Sequence, residues 1–267
     1  MVAWRLTNWV IVPFAVAIFY TKVATATDYE DYINATKIYS ERQASPSIAN
    51  IASGFGASNG VGFAAVSYSD NDMQTDAEGD DDGSIVIGIG LGDPLENFGV
   101  EASIGITSVS TSLWGDGKFA DEGNLNLKVH RFAPSFGLSD TASVSIGASN
   151  LAGWGSTTEN PTNAYAAYSG IKYLGQFDEY SLGYTLGWGS AVSNTETEAS
   201  IFYGLALARA HYNVSMGFIN SERHLSLSWQ PQFLQNSSIT FTKVKDAENS
   251  QSDRSIVTLG YSLELFK

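Results

Sequence analysis

No cysteine occurs among the 267 residues, which excludes disulfides and thiolate chemistry. Basic residues are scarce: 14 Lys and Arg stand against 28 Asp and Glu, a formal charge of −14. Lacking a basic surface, the chain is not expected to bind nucleic acid through its phosphates. Long apolar runs are missing too. The clearest, Trp9 to Tyr20, holds twelve residues, whereas a membrane-spanning helix needs about 20.

That run fits a secretory signal peptide over residues 1–26. Arg5 precedes it and Ala24-Thr25-Ala26 follows it as a small-residue cleavage site. Cleavage there leaves twelve basic residues and a formal charge of −16.

What the chain does contain is alternation. In Ser84 to Leu113, Ile85, Ile87, Ile89 and Leu91 share one face while Ser84, Val86, Gly88 and Gly90 share the other. After Gly92-Asp93-Pro94 the return strand sets Val100, Ala102, Ile104 and Ile106 against Gly99, Glu101, Ser103 and Gly105. A soluble sandwich would dress its wet face with Lys, Glu and Thr. Small polar residues on one face and bulky apolar ones on the other suit a barrel with lipid outside and a narrow wet interior.

The pattern recurs. Strands are expected from Gly60 to Ser69, in the two strands of the hairpin, from Asn124 to Phe132, around Ala142 to Ala148, from Asn163 to Tyr173 and from Tyr180 to Gly189. Others are expected around Ile201 to Leu207, Tyr212 to Phe218, Leu225 to Trp229, Ile239 to Phe241 and Val257 to Leu265. This makes an all-β, transmembrane antiparallel β-barrel of twelve strands over residues 59–267. In the sixth strand the outer face is read as Tyr165, Ala167, Ile171 and Tyr173. Links after strands one, three, five, seven and eleven are long and polar, and those after two, six and eight are short. Both termini are therefore expected on the periplasmic side of a Gram-negative outer membrane. Residues 27–58, weakly helical before Ser45-Pro46-Ser47 and glycine-rich after it, are expected to be a periplasmic segment or a small plug.

Three stretches, GFGASNGVGFAAVSYS at 54–69, the strand and turn from Asp82-Gly83 to Gly92-Asp93-Pro94, and LNLKVHRF through SIGASNLAGWG at 125–155, resemble a family of largely uncharacterised outer-membrane proteins associated with cyanobacteria and related envelopes. The resemblance implies an envelope barrel and transfers no catalytic residue. The chain end, with penultimate Phe266, is similar to an outer-membrane insertion signal. Leu265 continues the apolar row there and Phe266 lies opposite it. This implies periplasmic chaperones and the barrel-assembly machinery as partners during biogenesis, and outer-membrane lipid afterwards.

Four groups of residues carry the candidate chemistry. Glu101, Lys128, His130 and Glu264 share phase with the small-residue faces and are expected to line the lumen, as an ion-pair network or along an aqueous passage. Asp70, Asp72, Asp76, Glu78, Asp80, Asp81 and Asp82 form an acidic run expected at the outer mouth. Within it Glu78, Asp80 and Asp82 before Gly83 offer oxygen ligands for weakly held calcium or magnesium, although a flexible solvated loop is the preferred reading of the run. Tyr173, Tyr180, Trp188, Trp229 and Phe241 lie on apolar rows and are candidates for interfacial girdles. His211, Asn213 and Ser215 share a face, but alternate residues stand about 7 Å apart, so ordinary lumen polarity is the preferred reading and an enzyme is not expected. No tightly held cofactor is expected either. Two functions follow: a narrow passive channel preferring small cationic solutes, or a structural barrel binding envelope polymer or protein through acidic loops.

Overall fold

The computed structural model describes residues 46–71, 82–107, 120–174, 180–190, 199–234, 236–248 and 253–266. The signal-peptide reading, residues 27–45 and the body of the acidic run lie outside them. Twelve antiparallel strands close into one barrel: β1 (Val61–Asn71), β2 (Asp82–Gly92), β3 (Gly99–Ile106), β4 (Gly123–Phe132), β5 (Thr141–Trp154), β6 (Asn163–Tyr173), β7 (Tyr180–Gly189), β8 (Ser200–Arg209), β9 (Tyr212–Ile219), β10 (Glu222–Trp229), β11 (Ser237–Asp246) and β12 (Arg254–Glu264). Each strand pairs with its sequence neighbours. β12 closes on β1, from Val61 opposite Glu264 to Asn71 opposite Arg254. Closure leaves no unpaired edge, the condition under which a sheet can stand in hydrocarbon.

Alternation sets the faces. On β8 the side chains of Ile201, Tyr203, Leu205 and Leu207 are exposed, while Phe202, Gly204, Ala206 and Ala208 are buried. The same division holds on β9, where Tyr212, Val214 and Met216 are exposed and Asn213, Ser215 and Gly217 are buried. Apolar residues outside and small or polar ones inside invert the usual soluble arrangement, so the outer wall is built for a non-aqueous surrounding.

β6 corrects the expected phase. Ala167, Ser169 and Ile171 are buried, and Ser169 stands opposite Ser143 on one side and Thr185 on the other, both in inner rows. Tyr165 and Tyr173 therefore belong to the inner row, and Ala164, Ala166, Tyr168 and Lys172 to the outer one. Both faces of this strand carry aromatic and small residues, so alternation alone did not separate them. Register with β5 and β7 did. The link from β4 to β5 packs on the outer wall here: the Tyr168 hydroxyl donates to the Pro134 carbonyl at 3.0 Å, and the Tyr184 hydroxyl lies 3.2 Å from Ser139 Oγ.

β5 departs from regularity where Leu125 and Leu127 of β4 face Ala152 and Ala148, and Asn150 takes a φ of 53° there. The links after even-numbered strands, the start of β1 and the end of β12 gather at one end of the barrel; the links after odd-numbered strands gather at the other. Long links occupy the second end except after β9, where Asn220 and Ser221 suffice.

Candidate functional site

The interior is organised by residues 46–58, which form no strand and run across the inner faces of the wall. Ile48, Ile51 and Ala52 pack with Tyr165, Ala167, Phe202 and Ile219, the apolar cluster of the lumen. Burial of Ile51 is worth roughly 2 kcal/mol. Beyond the cluster the segment turns polar and its backbone is satisfied by wall side chains. Asn213 Nδ2 donates to the Ser47 carbonyl at 2.8 Å, Ser145 Oγ to that of Ser53 at 2.9 Å and Ser143 Oγ to that of Gly54 at 2.8 Å. The Gly54 N–H in turn donates to Ser169 Oγ at 2.8 Å. The Ser- and Asn-rich inner rows thus supply partners that a neighbouring strand would otherwise provide. Gly54 approaches so closely that a Cβ would meet the backbone of Ser143 and Ser169.

Farther along, register brings two charges together. Glu101 on β3 stands directly opposite Lys128 on β4, and Nζ lies 2.9 Å from Oε1. Each also holds the crossing segment: Lys128 Nζ donates to the Phe55 carbonyl at 3.1 Å, and the Ala57 N–H donates to Glu101 Oε2 at 2.8 Å. His130, 2% exposed, places its ring between Gly56 of the segment and Gly99 of β3, where a Cβ on either glycine would strike it. Three of the four lumen candidates therefore form one cluster. Glu264 does not join them; it stands exposed at the end of β12, opposite Val61.

The other candidates separate. Asp70 is exposed near the end of β1, Asp82 begins β2, and Asp72, Asp76, Glu78, Asp80 and Asp81 lie outside the described residues. Among the described residues no group of three His, Asp or Glu is arranged to hold a metal. Tyr180, Trp188, Trp229 and Phe241 are in outer rows. Tyr180 lies under Arg209, whose guanidinium carbon is 4.9 Å from the ring centre. Phe241 faces Leu227 in mid-strand, inside the apolar row and away from its rim. Tyr173 is corrected to the inner phase, its N–H donating to Asp140 Oδ2 at 2.7 Å. His211 and Ser215 do not pair: His211 Nε2 lies 2.7 Å from Gln232 Nε2, and Ser215 Oγ accepts the Ala49 N–H at 3.5 Å.

A second cluster was missed. On the inner face of β10, Glu222 and His224 are 2% and 3% exposed, with His224 Nε2 3.0 Å from Glu222 Oε2. Arg254 of β12 reaches the same carboxylate, Nη1 to Oε1 at 3.1 Å. The sequence carries a signal for it: Glu222, His224, Ser226 and Ser228 alternate with Arg223, Leu225, Leu227 and Trp229. Near the other end of the barrel a cavity of about 610 Å³ is bounded by Phe63, Ala65, Ser238, Gly260 and Ser262 of β1, β11 and β12 together with His211 and Pro231. No residue of 46–58 borders it.

No known protein family and no curated protein matches the chain. Among solved structures it is similar to an outer membrane channel from Pseudomonas putida F1, at 11% identity over 78% of this chain and 97% of that one, with a TM-score of 0.46. It is also similar to the outer membrane protein Omp33 of Acinetobacter baumannii, at 10% identity over 79% and 100% of the two chains, with a TM-score of 0.42. A triple mutant of the Rhodopseudomonas blastica porin aligns at 8% identity over 77% and 99%, with a TM-score of 0.30. Nothing in these likenesses ties the chain to cyanobacteria.

Proposed function

We propose that the chain is an outer-membrane channel for small solutes, narrowed by its own residues 46–58 acting as a plug. The observation that carries this reading is the course of the segment. It covers the inner faces from β9 round to β3, while among the described residues the stretch of β11, β12 and β1 borders a cavity of about 610 Å³. The end bearing the short links, the start of β1 and the end of β12 is periplasmic in this reading, and the long polar links are extracellular. Envelope lipid covers the apolar outer rows, and the barrel-assembly machinery inserts the chain.

Cation preference follows from charge. The mature chain carries a formal charge of −16, and seven acidic residues fall between Asp70 and Asp82. Carboxylates at a mouth walled by low-dielectric material concentrate cations there. Planar-bilayer conductance of the refolded mature chain tests the reading. Small steps with a reversal potential shifted toward cations in a salt gradient are expected, with larger steps from a variant lacking residues 27–58. A folded chain that gives no steps across voltage and salt overturns the channel and leaves the structural barrel that binds envelope polymer or protein.

A further inference from the structure

The outer wall of β10 and β11 ends in an unusual pair. In register, Trp229 faces Ile239, Leu227 faces Phe241, Leu225 faces Lys243 and Arg223 faces Lys245. The row is thus apolar from the short-link end through its middle and cationic at the long-link end. Arg223 and Lys245 are exposed. Like charges directly opposite on an antiparallel pair stand with Cβ atoms about 5 Å apart and repel each other. Lys243, on the same face one step inward, donates to Ser255 Oγ at 3.2 Å.

Among the described residues no neighbouring acid, the exposed Glu248 included, forms an ion pair with Arg223 or Lys245. Glu222 and Asp246 belong to the buried inner row, where Glu222 binds His224 and Arg254. The carboxylate of Asp253 accepts the Asp246 N–H at 2.9 Å. The outward cations at the opposite end are each held: Arg131 lies 5.5 Å over Phe98, Arg209 lies 4.9 Å over Tyr180, and Lys172 lies 2.7 Å from Asp140. Among the described residues, Arg223 and Lys245 have no hydrogen bond or ion pair of this kind. In so acidic a chain, cations gathered across two strands above an apolar stripe are complementary to an anion that carries acyl chains.

We propose that Arg223, Lys243 and Lys245 bind the phosphate of an anionic lipid in the outer leaflet, its acyl chains lying along Leu225, Leu227, Phe241 and Ile239. Resting on the outer-membrane reading above, this assigns the stripe a ligand of the phosphorylated glycolipid class. The guanidinium fork matches two phosphate oxygens, the two ammonium groups add point charges, and the long side chains reach headgroup level while their stems stay against apolar surface. A phosphate between Arg223 and Lys245 turns their repulsion into two attractive contacts. Charge on a lipid-facing row is tolerated near the interface and not at mid-depth, which is where this cluster sits relative to the apolar partners below it.

Native mass spectrometry of the refolded mature chain tests the site, with lipid A, dephosphorylated lipid A and inorganic phosphate as probes. Lipid A is expected to be retained roughly tenfold more than the dephosphorylated form, and the R223Q/K245Q double variant is expected to lose that preference. Equal retention of lipid A by the double variant, or equal retention of the dephosphorylated lipid, overturns the proposal. So does displacement by inorganic phosphate, which would make this a free-anion site. Heat-modifiable migration and insertion into vesicles are measured on both proteins. Failure to insert overturns the outer-membrane reading and this site with it, whereas insertion without lipid preference overturns the site alone.

Discussion

Ser53 and Ser169 meet inside the barrel with their Oγ atoms 3.4 Å apart, one on the crossing segment and the other on the inner face of β6. Ser169 also contacts Thr185 Oγ1 at 2.6 Å and accepts the Gly54 N–H. This one hydroxyl therefore joins the segment to two strands of the wall, at a point where no native cysteine complicates cross-linking.

The pair gives a direct test of the plug. In S53C/S169C, oxidation should tether the segment to β6 and hold conductance at its lowest level, and reduction should restore the wild-type trace. Single-channel recording of one preparation before and after reductant decides the matter. Identical traces in the two states, with the cross-link verified by mass, would show that movement of the segment is irrelevant to passage.

Glu101 and Lys128 should act as a coupled unit. Removing one partner leaves the other charge part-buried, so E101Q and K128M are each expected to destabilise the barrel by on the order of 3 kcal/mol. Because each side chain also bonds the backbone of the crossing segment, both variants should raise open conductance. Urea unfolding in detergent measures the first effect and bilayer recording the second. The double variant should cost less than the sum of the singles.

The corrected phase of β6 can be read by paramagnetic labelling. A nitroxide on A166C should be accessible to oxygen dissolved in the bilayer, since Ala166 faces Trp188 in the outer row. One on Y165C should not be. The reverse result would return the strand to the phase suggested by its alternation.

Charge near the outer mouth should control selectivity without controlling the fold. Replacing Asp76, Asp80, Asp81 and Asp82 with Asn and Glu78 with Gln is expected to reduce the cation-directed reversal potential while circular dichroism stays unchanged. Raising salt from about 0.1 M to about 1 M, which shortens the screening length from about 10 Å to about 3 Å, should do the same to the wild type. A reversal potential indifferent to both changes would assign selectivity to the lumen charges.

Strand positions were legible wherever the two faces differ in kind. β7 sets Tyr180, Leu182, Tyr184, Leu186 and Trp188 against Ser181, Gly183, Thr185, Gly187 and Gly189, and the structure keeps that division. β6 was misread because tyrosine and alanine occupy both of its faces. Glu222 and His224 are visible in phase, but a polar row beside Leu225 and Leu227 carries no mark of what will face it.

Side-chain alternation is local, a consequence of the two-residue period of an extended chain, and so the sequence by itself determined twelve strands, their apolar outer rows and the placement of Glu101, Lys128 and His130 on an inner face. Which inner residues meet depends on register between strands and on closure, which alternation within a single strand does not fix. Only the tertiary structure could put Lys128 opposite Glu101, bring Arg254 to Glu222, and lay residues 46–58 against Ser143, Ser169 and Asn213. The small polar residues of the inner rows would suit water equally well, and it is the course of the crossing segment that decides which of them hold its backbone.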